Sequence, residues 1–208
     1  MARWAAGLHW SYSGRAWCGL IAILADGRSL VRHELTWHKR TPEHAAAELR
    51  DFTADRKIDL DYCVAQPDLW PNDKKKRFGE TVSETFALAG IPMQKADDDR
   101  FNGWSRLRSW LHVRTFEIER ADGIDRFESP SLIIHPDCQY LIRTLPVLVS
   151  AGEDTPDDVL EVPEDFAANG LRYYAMSRPL PEIRVIEELP PDAIGHDVEA
   201  IRRELRRR

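Results

Sequence analysis

Four consecutive cations, Lys74, Lys75, Lys76 and Arg77, follow Pro71 in a stretch without hydrophobic periodicity. A loop of this composition grips a nucleic-acid backbone by displacing its counterions, which makes the four residues candidate phosphate contacts; the alternative is a solvated loop. A second cationic stretch, Arg202-Arg203-Glu204-Leu205-Arg206-Arg207-Arg208, is expected to be either a short amphipathic helix or a disordered tail. Both sit in a chain of formal net charge −6, so any binding of nucleic acid would rest on local patches rather than on the global field. Cys18, Cys63 and Cys138 are far apart and form no CxxC pair, so a disulfide framework and a zinc site are not expected. No GxxxxGK[ST] loop is present, and the chain is not expected to hydrolyse ATP itself.

The elements that would position such groups follow from turn and cap signals. Arg3 to Trp10, Ala16 to Leu24 and Ser29 to Trp37 read as strands. A turn near Ser13-Gly14 and a strong hairpin turn at Asp26-Gly27 separate them, since both residues of the second turn tolerate positive φ. An antiparallel meander is the consequence. Thr41-Pro42-Glu43 begins a helix, with Ala45, Leu49 and Phe52 as its buried stripe. Asp61 to Ala65 is a buried strand stopped by Pro67, Glu80 to Leu88 a helix closed by Gly90, and Pro92 to Lys95 a short strand. The alternation of strand and helix predicts parallel pairing in this half.

Further along, Arg100 to Val113 forms an amphipathic helix whose Trp104, Leu107 and Leu111 read as core rather than as a base-stacking platform. Thr115 to Arg120 and Ser131 to His135 read as a hairpin-like pair, Asp137 as the cap of a helix running to about Thr144, and Glu153 to Glu161 as an acidic loop. Pro163-Glu164-Asp165 begins the last helix, which runs through Met176. From Arg178 onward the composition turns Pro-rich and charged, giving one domain over 1–178 and a linker with a basic tail over 179–208. With no long apolar run and no basic and hydrophobic leader in Met1 to Trp10, a cytosolic protein without membrane spans is expected.

Five segments in this order resemble the nuclease domain of tailed-phage large terminases, across about residues 5–178. They are Gly7-Leu8-His9-Trp10-Ser11-Tyr12, Glu34-Leu35-Thr36-Trp37 leading into Thr41-Pro42-Glu43, Ala65-Gln66-Pro67, Arg100-Phe101-Asn102-Gly103-Trp104, and Glu164-Asp165-Phe166-Ala167-Ala168-Asn169-Gly170-Leu171-Arg172-Tyr173. The resemblance implies an α/β, ribonuclease H-like fold: a central mixed sheet, three antiparallel strands then parallel ones, flanked by helices. It also implies a two-metal nuclease acting on double-stranded DNA during packaging, with carboxylates on the first strand, at the end of the fourth and in the last helix. Hard cations such as Mg²⁺ or Mn²⁺ held about 4 Å apart need several such charges.

Carried over position by position, those three carboxylates fall on His9, Gln66 and Asn169, all uncharged, and the histidine that often precedes the last one is Phe166. The resemblance therefore implies a degenerate nuclease that keeps the scaffold and binds DNA or packaging partners. An active endonuclease with a rebuilt site is the alternative: Asp165 lies one helical turn before Asn169, Asp68 two residues past Gln66, and Glu34 matches a family acid, so with His9 they would form a softer Mn²⁺ or Zn²⁺ site. The plainer assignment makes Asp68 a turn residue, Asp165 a first-turn acid, Glu34 a solvated strand residue and His9 a hydrogen-bonded core group. A third possibility is an interaction module without DNA binding, docking through the tail on the portal ring, as the resemblance implies for terminal tails of the family.

Overall fold

A computed structural model describes residues 3–70, 80–120, 123–149, 152, 158–160 and 165–178. The opening meander forms as its turn signals require: β1 (Arg3–His9), β2 (Arg15–Ile23) and β3 (Ser29–His38) pair antiparallel. Gly27 takes a φ of 86° in the turn between β2 and β3, the left-handed conformation that a residue without Cβ adopts at no steric cost. Helix α1 (Pro42–Asp55) leads to β4 (Leu60–Ala65), and α2 (Val82–Leu88) leads to β5 (Met93–Lys95). β4 runs parallel to β1, and β5 parallel to β4. With β8 (Leu132–Ile134) beside β3, the six-stranded sheet has the order β5-β4-β1-β2-β3-β8, the mixed architecture expected for a ribonuclease H-like domain.

The sheet is buried on both faces, which is why β1 and β2 read as nearly continuous apolar runs. Ala6, Leu8, Cys18 and Leu20 pack with Leu49 of α1 and Phe86 of α2 on one face. Ala5, Trp17, Ile21 and Val64 pack on the other against α3 (Arg100–Leu111), α4 (Gln139–Thr144) and α5 (Phe166–Met176). Because β1 and β4 are parallel and β2 antiparallel between β1 and β3, one end of the sheet gathers His9, Gln66, Arg15 and His38.

Several expectations require correction. β6 (Val113–Arg120) pairs with β7 (Gly123–Pro130), not with the Ser131–His135 stretch; β8 (Leu132–Ile134) instead joins the main sheet beside β3 in parallel register. The charged residues of β7 disguised its strand character, because the apolar contact that holds it is the cross-strand pair of Phe127 with Phe116. α2 begins at Val82, since Thr81 and Glu84 form a capping box that fixes its start. α3 stops at Leu111, which is partly exposed, while Trp110 takes the buried position. Asp137 does not cap α4: Cys138 holds that place without a side-chain bond, and the Asp137 carboxylate accepts from Arg32. α5 begins at Phe166, and Pro163 and Glu164 lie outside the described residues.

The ribbon is tied to the sheet by Arg28. Its guanidinium lies 5.4 Å from the Phe116 ring centroid and 4.6 Å from that of Phe127, donates to Ser129 Oγ at 2.7 Å, and pairs with Asp26 at 2.8 Å. With the rings stacked at 5.9 Å, two cation–π contacts and a largely buried ion pair contribute about 2 kcal/mol together. Arg28→Ala is therefore expected to lower the melting temperature by about 4–8 °C and to speed amide exchange in β6 and β7 ahead of the sheet. An unchanged melting curve would show that the ribbon is held by other contacts.

Candidate functional site

The three positions inferred to carry family carboxylates do come to one end of the sheet, but each side chain has a different environment. His9 ends β1, where its ring stacks on Tyr173 at 6.2 Å and meets Phe166 at 5.5 Å, both on α5. Its Nδ1 is buried without a hydrogen-bond partner among the described residues. Burial first, and then the positive charge of Arg172, push its pKa from the ordinary 6.5 down to about 4, while Asp98 acts the other way. His9 is thus a neutral imidazole at physiological pH.

The unfolded chain protonates His9 near pH 6.5 and the folded chain only near 4, so the unfolded state binds more protons in between. Stability is complete above about 6.5 and falls as pH drops through this window, by about 3 kcal/mol in all. The pKa of His33, lowered mainly by burial, adds in the same direction. Urea unfolding of His9→Gln is expected to lose less stability than wild type between neutral pH and pH 4; equal losses would place the acid sensitivity elsewhere.

Gln66, 7% exposed at the end of β4, is engaged with backbone. Its Nε2 donates to the Trp10 carbonyl at 2.6 Å and its Oε1 accepts from the Trp10 N–H at 2.9 Å. The amide clamps β1 to β4 past the last ladder pair. An ionised aspartate has no donor for that carbonyl and one methylene less reach, so it could not make this clamp.

Asn169, 5% exposed on α5, faces Arg172, whose Nε lies 3.4 Å from Asn169 Oδ1. Arg172 is 1% exposed. Its guanidinium lies 4.7 Å from the Tyr173 ring centroid and 5.5 Å from that of Trp104, and Nη2 donates to Asp98 Oδ1 at 2.7 Å. Gly103 of α3 makes room for its stem: a Cβ there would stand 2.6 Å from Arg172 Cγ. A buried cation therefore occupies the neighbourhood where the resemblance implies bound metal.

The residues considered as substitutes form no common group among the described residues. Glu34 accepts from Trp17 Nε1 at 2.9 Å and from the backbone N–H groups of Tyr140 and Leu141 at 2.6 and 3.1 Å, holding the first turn of α4 onto the sheet. Asp68 is exposed in the 3-10 turn Pro67–Leu69, and Asp165 is the N-cap residue of α5, its carbonyl accepting from the Asn169 N–H. No three His, Cys, Asp or Glu side chains form a metal-holding group among the described residues. The donors at the site do not fit a pair of hard cations: one amide is spent on backbone, the other faces a guanidinium, and the nearby Asp98 is already paired with it. Lys74, Lys75, Lys76, Arg77 and the tail from 179 onward lie outside the described residues.

Sequence reasoning missed Asp98 and the role of Arg172. The signal was the run Asp97-Asp98-Asp99 just past β5, at the carboxyl end of a parallel strand, where α/β sheets place their sites. For Arg172 it was one arginine, which must find a carboxylate or a ring to be buried, in a helix that is otherwise apolar and aromatic apart from Asn169.

Among solved structures, the chain is similar to the large terminase of a thermophilic bacteriophage in complex with ATP-gamma-S, with a TM-score of 0.61, 13% identity, and 83% of this chain and 39% of that one covered. It is similar also to the P22 large terminase nuclease domain, with a TM-score of 0.58, 13% identity, and 88% and 84% covered. The chain thus spans about two fifths of the length of the thermophilic-phage terminase and most of the P22 domain. No family model and no curated protein sequence matches it. Its fold is that of a terminase nuclease domain, ribonuclease H-like.

Proposed function

We propose that this chain is a nuclease-like module of viral DNA packaging that binds double-stranded DNA and does not cut it. The observation that carries the reading is the site itself: His9, Gln66 and Asn169 stand where the family resemblance expects carboxylates, and Gln66 is locked onto the Trp10 backbone. The nuclease fold supports nucleic acid as the partner class. No resident metal is part of this reading, because binding two divalent ions beside the Arg172 guanidinium would bring like charges together without enough carboxylates to offset them.

In this reading residues 1–178 are the folded module and 179–208 a linker with a basic tail that docks on a packaging partner such as the portal. The Lys74, Lys75, Lys76 and Arg77 run supplies phosphate contacts. No helix among the described residues is long and apolar enough to cross a membrane, and the module would work in the host cytoplasm. Supercoiled plasmid incubated with the protein in Mg²⁺ or Mn²⁺ is expected to be retarded on a gel and to stay supercoiled. Metal-dependent nicking that disappears in Asp98→Ala, Glu34→Ala or Asp165→Ala would replace the proposal with a rebuilt active site, and absence of retardation would leave an interaction module that no longer meets DNA.

A further inference from the structure

We infer that Arg15, Lys39 and Arg40, at the rim formed by the β1–β2 turn and the β3–α1 loop, are a second contact surface for the phosphate backbone of duplex DNA. This rests on the DNA-binding reading above. β3 ends with His38 opposite Arg15, and the His38 ring donates from Nδ1 to the Gly14 carbonyl at 3.1 Å, so the cations that flank this pair share one edge. All three are exposed, and none has a carboxylate partner among the described residues.

Several arginines elsewhere in the chain are neutralised by acids. Acids outnumber bases 35 to 29, and Arg3, Arg28, Arg32, Arg100, Arg126 and Arg172 each have a carboxylate within 3.0 Å. Between Trp10 and Trp17 there is no acid, and between His38 and His44 the single acid is Glu43, in the first turn of α1. Unpaired like charges repel one another, and a polyanion that passes over them releases its counterions and relieves the repulsion. Lys39 holds a left-handed φ of 52° in the connection between β3 and α1. Tyr12, 59% exposed in the neighbouring turn, offers an aromatic face with a hydroxyl at the same edge.

The rim lies at the end of the sheet that carries His9 and Gln66, with Arg15 on β2 two strand positions from β4 and the end of β3 three positions from it. At a strand spacing of about 4.8 Å, β3 and β4 stand about 14 Å apart, a span that one duplex backbone covers in a few phosphates. DNA is favoured over an acidic protein because three dispersed, exposed cations without an apolar centre suit a repeating phosphate lattice better than a protein hot spot.

Binding of a short labelled duplex to the full chain would be followed by anisotropy over a range of salt. In the triple variant R15S/K39N/R40S, asparagine keeps the left-handed position comfortable at residue 39. Its affinity is expected to fall about tenfold or more, and its salt slope to become shallower by about two to three, with an unchanged melting curve. R3S/R50S, neutralising arginines away from the rim, should bind as wild type. If the triple variant keeps wild-type affinity and slope while neutralising Lys74, Lys75, Lys76 and Arg77 abolishes binding, the rim contact is wrong and the DNA-binding reading stands. If the wild-type chain does not bind the duplex, both fall. Equal binding of polyglutamate, lost in the same variant, would overturn nucleic acid as the ligand of the rim.

Discussion

Gly7→Ala is expected to destabilise the domain by about 3 kcal/mol, lowering its melting temperature by about 6–12 °C. A Cβ at Gly7 would stand 2.3 Å from the Gly170 carbonyl oxygen and 3.1 Å from Tyr174 Cβ, so α5 and β1 meet backbone to backbone. No rotamer change relieves such a clash, because the obstructing atom belongs to the helix main chain. The helix must lift off the sheet, and with it go the contacts of Leu171, Tyr174 and Ala175 in the largest apolar cluster. The comparison is Gly14→Ala, where the new Cβ would meet the Ser11 hydroxyl at 3.1 Å and the Phe166 ring at 3.4 Å. That substitution is expected to cost much less, since both neighbours are side chains. Should Gly7→Ala melt with wild type, α5 would not seat on β1 in this way.

Arg172→Ala is expected to have an effect at least as large, about 3–5 kcal/mol, and to exert it at the site itself. The change removes a stem packed against Gly103, the cation over Tyr173 and Trp104, and the partner of Asp98, and it leaves a void beside Asn169. Arg172→Met fills much of the void, so it should recover part of the loss; the difference between the two variants separates packing from charge. An independent readout comes from His9. Arg172 is the second cause of its lowered pKa and Asp98 opposes the shift, so in Arg172→Met the His9 titration followed by NMR is expected to move up from about 4 toward 6.5. Wild-type stability in Arg172→Ala, together with an unmoved His9 titration, would mean that the guanidinium is not the electrostatic centre of the site.

Why the fold was legible is clear from the turns. Asp26-Gly27 and Thr41-Pro42 encode backbone geometry in residues that tolerate few alternatives, and the structure has a hairpin and a helix start there. The β6–β7 ribbon was not legible because its strands are satisfied by pairing and by Arg28, which is distant in sequence. The start of α4 was misread for a related reason: Glu34, from a strand 106 residues away, bonds the Tyr140 N–H, and an external partner of this kind leaves no local signature.

At the site, the residue types at His9, Gln66 and Asn169 were visible, but their chemistry was not. The twofold bond of Gln66 to Trp10 depends on where β1 and β4 end relative to one another, which only parallel register fixes. Glu34 illustrates the converse, an acid with family precedent whose oxygens are taken up by Trp17 and the start of α4. Position along the strands and the last helix brings these residues to one end of the sheet; their side-chain partners come from packing.

The most direct test of a nuclease fold with a neutral site is the melting temperature of the full chain in EDTA and in millimolar Mg²⁺ or Mn²⁺. Anything that binds the native state stabilises it by mass action, with about 2.7 kcal/mol gained at a hundredfold excess over Kd. A neutral site predicts the same melting temperature in all three conditions. A rise of several degrees with either metal would contradict it, and would mean that carboxylates such as Asp98 and Asp68 assemble around a cation after all.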